Sequence, residues 1–147
     1  MRISAVSICL LVSIILVSHA AAFTPPFVPN PVIFFTGQTF LKMNGKEMIR
    51  YSYAVENAND FPKDMFAPAP DLPPCGTNKN ASRTWVDIYD QRGKRLYGFC
   101  ALGKPGDLNA IFFVLEANVV PPSWVYIEMT NRQTNTKYKS NLAETTL

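Results

Sequence analysis

Residues 48–57 alternate strictly: Ile49, Tyr51, Tyr53 and Val55 interleave with Arg50, Ser52, Ala54 and Glu56. A period of two is the mark of a strand with one buried face. Asn44-Gly45 stands just ahead of it, the dipeptide that most readily takes the positive φ values of a two-residue hairpin turn. Residues 32–42 are therefore predicted to form the preceding, antiparallel strand. Before that, Pro25, Pro26, Pro29 and Pro31 fix φ and remove amide donors, so residues 23–31 read as an extended lead-in. After the second strand, Pro62, Pro68, Pro70, Pro73 and Pro74 exclude regular pairing across most of 58–82. So long a loop in a compact domain is usually functional or pinned down.

The second half continues in short β-rich runs, and no helical period emerges. Residues 84–90 and 94–102 flank Gln91-Arg92-Gly93, a three-residue loop with glycine at the left-handed position. An unbroken register through this hairpin sets Asp90 opposite Lys94, Ile88 opposite Leu96 and Val86 opposite Gly98. One face then carries Val86, Ile88, Leu96, Gly98 and Cys100; the other carries Trp85, Asp87, Tyr89, Tyr97 and Phe99. Residues 110–116 form a compact apolar strand, and Pro121-Pro122 precede another at 124–130. A turn at 132–135 leads into 136–140. Pairing Asn131 with Thr136 puts Met129 against Tyr138 inside and Glu128 against Lys139 outside. Six to seven short strands without a helix predict an all-β antiparallel β-sandwich, with a small β-barrel as the alternative.

The N-terminus changes the chemical inventory. Arg2, an apolar run over 3–17 and the small residues Ala20-Ala21-Ala22 form the pattern of a secretory signal peptide, residues 1–22, cleaved before Phe23. The run is shorter than the ~20 residues of a spanning helix and is broken by serines, which speaks against a membrane anchor. The expected organisation is the signal peptide, a Pro-rich lead-in and first strand over 23–46, and a sandwich over 47–147 packed with it as one unit. Cleavage removes His19, the only histidine, and Cys9. Without histidine, no Ser-His-Asp or Cys-His arrangement and no His-containing zinc site can be assembled. The formal charge falls from +3 to +2 with the loss of Arg2, and no basic run exceeds Lys94-Arg95. Neither a nucleic-acid partner nor, after cleavage, a membrane is expected. In an exported chain the remaining Cys75 and Cys100 are expected to pair. Closing that loop restricts the unfolded chain by about 3.5 kcal/mol. Asn80-Ala81-Ser82 is an N-glycosylation sequon in a polar stretch, with Asn80 the acceptor.

Two constellations carry possible chemistry. Asp87 lies between Trp85 and Tyr89, and Glu128 lies near Trp124 and Tyr126, so the two acids could form a glycosidase-like pair. Nothing sets their environments apart, so the preferred reading is that both mark the solvent face of their strands. Asp60, Asp64 and Asp71 share a loop but lack a dense ligand run, so no metal and no cofactor is expected. The stronger lead is aromatic. Trp85, Tyr89, Tyr97 and Phe99 would share a face with Trp124 and Tyr126 nearby, a stacking platform for sugars or proteins if exposed. Residues 23–35 or the loop at 61–74 are the segments expected to cover it otherwise.

The stretch Ser82-Arg-Thr-Trp-Val-Asp-Ile-Tyr-Asp-Gln-Arg-Gly-Lys-Arg-Leu-Tyr-Gly-Phe-Cys100, with Pro121-Pro-Ser-Trp-Val-Tyr-Ile-Glu-Met-Thr-Asn131, resembles a fibronectin type III-like or immunoglobulin-like module. It is more closely similar to secreted domains with an Asp-x-x-Gly-Lys hairpin and a Pro-Pro-x-x-Val-Tyr-Ile strand, over residues 47–141. Such domains occur among mollusc shell matrix proteins. The resemblance implies a secreted, non-enzymatic extracellular structural component, possibly of a biomineral matrix, with matrix protein or polysaccharide as partner. A carbohydrate- or protein-binding module using the aromatic face is the alternative.

Overall fold

The computed structural model describes residues 27–146. The signal peptide and its cleavage point before Phe23 lie outside the described residues. The strands are β1 (Ile33–Met43), β2 (Lys46–Val55), β3 (Thr84–Asp90), β4 (Arg95–Phe99), β5 (Ile111–Glu116), β6 (Trp124–Asn131), β7 (Thr136–Lys139) and the short β8 (Ala143–Glu144). They form two antiparallel sheets, β1-β2-β5 and β4-β3-β6-β7, with β8 beside β6. The sheets face each other as a sandwich.

Asn44 (φ 51°) and Gly45 (φ 81°) make the first turn, and Met43 pairs with Lys46 across it. The alternation in β2 delivers Tyr51, Tyr53 and Val55 inward, while β5 delivers Ile111 and Phe113. Tyr51 stacks on Phe113 with ring centroids 5.1 Å apart. Opposite them lie Val86 and Ile88 of β3 and Val125, Ile127 and Met129 of β6, all buried. Burying each such side chain contributes roughly 1.5–3 kcal/mol.

The proline-rich loop is pinned from both directions. Short 3-10 turns at Ala58–Asp60 and Lys63–Phe66 drive Phe61, Met65 and Phe66 into the core, and a third at Pro105–Ala110 does the same with Leu108. These single turns escape a search for helical periodicity because they are too short to repeat. Further on, Cys75 is bonded to Cys100 just past β4, with a Cα–Cα distance of 6.2 Å.

The β6–β7 pairing is the expected one: Asn131 faces Thr136, Met129 faces Tyr138 and Glu128 faces Lys139. The β3–β4 pairing is not. The Asp90 N–H still donates to the Lys94 carbonyl at 2.9 Å, but Tyr89 then pairs with Arg95, Ile88 with Tyr97 and Val86 with Phe99. The register slips between Ile88 and Tyr89, leaving Leu96 as the extra residue of a β-bulge. A one-residue slip sends side chains to the opposite face. Tyr97 and Phe99 therefore share a face with the buried Val86 and Ile88, not with Trp85, Asp87 and Tyr89.

Candidate functional site

The outer face of the four-strand layer carries Trp85, Asp87 and Tyr89 from β3 beside Thr130, Glu128 and Tyr126 from β6. Asp87 and Glu128 stand directly opposite each other, an arrangement that repels unless compensated. Flanking strands supply the compensation. Arg95 Nε donates to Asp87 Oδ1 at 2.7 Å, and Lys137 Nζ donates to Glu128 Oε1 at 2.7 Å. The hydrogen bond to Glu128 raises the Lys137 ammonium above its ordinary pKa, with the charge of Glu128 adding to it. Gly98 lies opposite Asp87, and its missing side chain leaves the space the Arg95 guanidinium occupies. Beside this ionic row Tyr89 stacks on Tyr126 at 5.3 Å. Burial raises the Tyr89 phenol, and the charges of Asp87 and Glu128 raise it further.

Cations of the chain itself lie over the other rings. The Arg132 guanidinium sits 4.3 Å from the Trp85 ring, and Lys139 Nζ sits 4.1 Å from that of Tyr126. Arg132 is held there by donating to the carbonyls of Ser82, at 3.1 Å, and Pro73. The cover over Trp85 and Tyr126 is thus an arginine and a lysine, where the lead-in or the loop at 61–74 was expected. The loop at 61–74 turns its own apolar side chains into the core and contributes to the cover only by fixing Arg132 through Pro73.

The other predicted site residues lie elsewhere. Tyr97 and Phe99 wrap the rim between the sheets and meet Phe112 of β5, at 5.7 and 5.6 Å, while Arg50 caps the Phe112 ring at 3.9 Å. Trp124 begins β6 at the end of the sandwich, 40% exposed, its N–H donating to Gln91 Oε1 at 3.3 Å. Asn80 is exposed in a turn, whereas the Ser82 hydroxyl of the same sequon is buried and donates to the Leu102 carbonyl. Asp60, Asp64 and Asp71 do not converge: among the described residues, no group of three or more His, Cys, Asp or Glu side chains is placed to hold a metal ion.

The seven candidate residues therefore divide into an outer group, Trp85, Asp87, Tyr89 and Tyr126, a rim pair, Tyr97 and Phe99, and Trp124 alone at one end. Missing from the sequence reading are Arg95, Arg132 and Lys137 as partners; Lys139, expected to pair with Glu128, lies opposite it but over Tyr126, and the ion pair goes to Lys137. Lys137 and Lys139 were legible once Asn131 was set against Thr136, since both fall on the outer face. Arg132 sits in a turn, where no periodicity announces it. Chemically, both central carboxylates are neutralised and two rings are already in cation–π contact. Among the described residues no helix is long and apolar enough to cross a membrane. Comparison with protein families, with curated proteins and with solved structures returns no match.

Proposed function

We propose that this chain is exported, loses residues 1–22, and serves without catalysis as a structural component of an extracellular matrix. The observation that carries this reading is the outer face of the β4-β3-β6-β7 sheet. Its acids are spent on Arg95 and Lys137, and its rings lie under Arg132 and Lys139. A general acid must keep a titrating proton available to substrate, and paired surface carboxylates are poorly suited to that. A disulfide tying the longest loop to the sheet suits an oxidising, extracellular setting. The exposed Asn80 suits a glycan there.

The strand order lends weight to the fibronectin type III-like resemblance. The first, second and fifth strands form one sheet and the third, sixth and seventh the core of the other, with the fourth joined to the third. Fractionation of the source tissue tests the role. The mature chain, starting at Phe23, is expected in insoluble extracellular material that resists salt extraction. Recovery only from free fluid, or with Met1 retained, would overturn the proposal. The second reading, a binding module for carbohydrate or protein, keeps two open rings among the candidate residues, Tyr97 and Trp124. Saturable quenching of Trp124 fluorescence by a defined oligosaccharide would favour that reading.

A further inference from the structure

The β1-β2-β5 sheet runs on past the β3–β4 turn, leaving one end of the sandwich open. Phe40, Ile49 and Leu115 stand side by side across the three strands of its inner face. Deeper rows on this face are buried, but Phe40 is 70% exposed. Leu115 and Leu96, the bulge residue, line a cleft of ≈ 340 Å³ together with Val119, Val120 and Pro121. Val120 is 88% exposed, so the cleft is an open groove with aliphatic walls. Arg92 and Lys94 stand at its rim on the β3–β4 turn. Neither forms an ion pair among the described residues. The nearby Asp90 carboxylate is committed to the turn, where Oδ1 accepts the backbone N–H groups of Arg92, at 2.8 Å, and Lys94, at 2.9 Å. The rim thus has two cations against one engaged acid.

We propose that this open end binds a free aliphatic carboxylate, its chain lying along Leu96, Leu115, Val119 and Val120 and its head group between Arg92 and Lys94. Charge complementarity selects the anionic head. The aliphatic side chains of Leu96, Leu115, Val119 and Val120 select a hydrocarbon tail. Asp90 N–H is bonded to the Lys94 carbonyl, Gln91 N–H to that of Trp124, Gly93 N–H to that of Asp90 and Val119 N–H to that of Glu116. These bonds occupy N–H groups of the turns, and an alkyl chain needs no main-chain partner from the edge strands β4 and β5 beside it. The inference is independent of the matrix role, and either can fail without the other.

The test uses the mature protein with methyl-labelled Leu and Val, titrated with sodium decanoate below its micelle-forming concentration. Saturable shifts confined to Leu96, Leu115, Val119 and Val120 are expected. Decanol and decyltrimethylammonium should bind more weakly. Arg92→Gln/Lys94→Gln lies on an exposed turn and leaves the fold intact, so its unchanged spectrum controls for misfolding. The double variant should weaken decanoate about fivefold and leave decanol unaffected, two surface ion pairs being lost. Equal affinity for decanoate and decanol, or shifts elsewhere, would overturn the proposal. So would tighter binding of an acidic peptide, binding only to anionic vesicles, or shifts explained by dimerisation as protein concentration rises.

Discussion

At the scale of single residues, the Asn141 amide does for two sheets what a backbone pair does within one. Its Oδ1 accepts the Ile33 N–H at 2.8 Å and its Nδ2 donates to the Ile33 carbonyl at 3.0 Å, joining the segment after β7 to the edge of β1. Asn141→Ala is expected to cost about 1–2 kcal/mol, two hydrogen bonds at an exposed seam. A lower urea midpoint at unchanged slope would register it. Tyr53 gives a pH dependence. Burial pushes its phenol up to about 12. In the unfolded chain a tyrosine titrates near 10. The folded state therefore favours the neutral phenol: its contribution is complete below about pH 10 and is lost as pH rises through about 12. The Tyr53 hydroxyl has no hydrogen-bond partner, so Tyr53→Phe sacrifices little at neutral pH. The variant should show a flatter loss of unfolding free energy between about pH 10 and 12; an unchanged slope would assign that loss to other groups.

At the scale of elements, the contrast between hairpins explains what could be read beforehand. Asn44-Gly45 fixes the β1–β2 pairing because both residues must accept positive φ there, and Asn131 with Thr136 fixes β6–β7. Those registers were legible because the turn and the apolar alternation agree. The β3–β4 hairpin was legible as an element, and Gly93 takes the expected left-handed φ of 83°. Its faces were not legible. Arg95 and Leu96 carry no bulge signature, and Tyr97 and Phe99 suit a buried rim as well as an aromatic surface. Only tertiary contact with Phe112, on a different sheet, decides between them. Deleting Leu96 would remove the extra residue while leaving Tyr97 opposite Ile88 and Phe99 opposite Val86, so both rings should stay against Phe112. A loss of about 1–2 kcal/mol is expected, similar to that for Leu96→Ala, since both variants lose the same half-buried side chain. A much larger loss for the deletion in chemical denaturation would show that the bulge itself holds the hairpin in place.

At the scale of the whole molecule, the disulfide connects loop, sheet and aromatic face in one chain of contacts. Cys75 holds the proline-rich loop against the end of β4, and Pro73, two residues earlier, offers its carbonyl to Arg132. Arg132 in turn covers Trp85. The apolar core does not depend on this tie, because Phe61, Met65 and Phe66 anchor the loop's first half independently. Cys75→Ser/Cys100→Ser should therefore leave the strands paired while lowering stability by about 3.5 kcal/mol, the entropy restored to the unfolded chain. It should also release the loop's second half, letting Arg132 swing from the Trp85 ring. In a Trp124→Phe background only Trp85 fluoresces, so the consequence can be read directly: iodide should quench the disulfide-free variant more strongly than its parent under folding conditions. Quenching that stays equal while stability falls would mean that Ser82 alone keeps Arg132 in place. The aromatic face would then be independent of the disulfide.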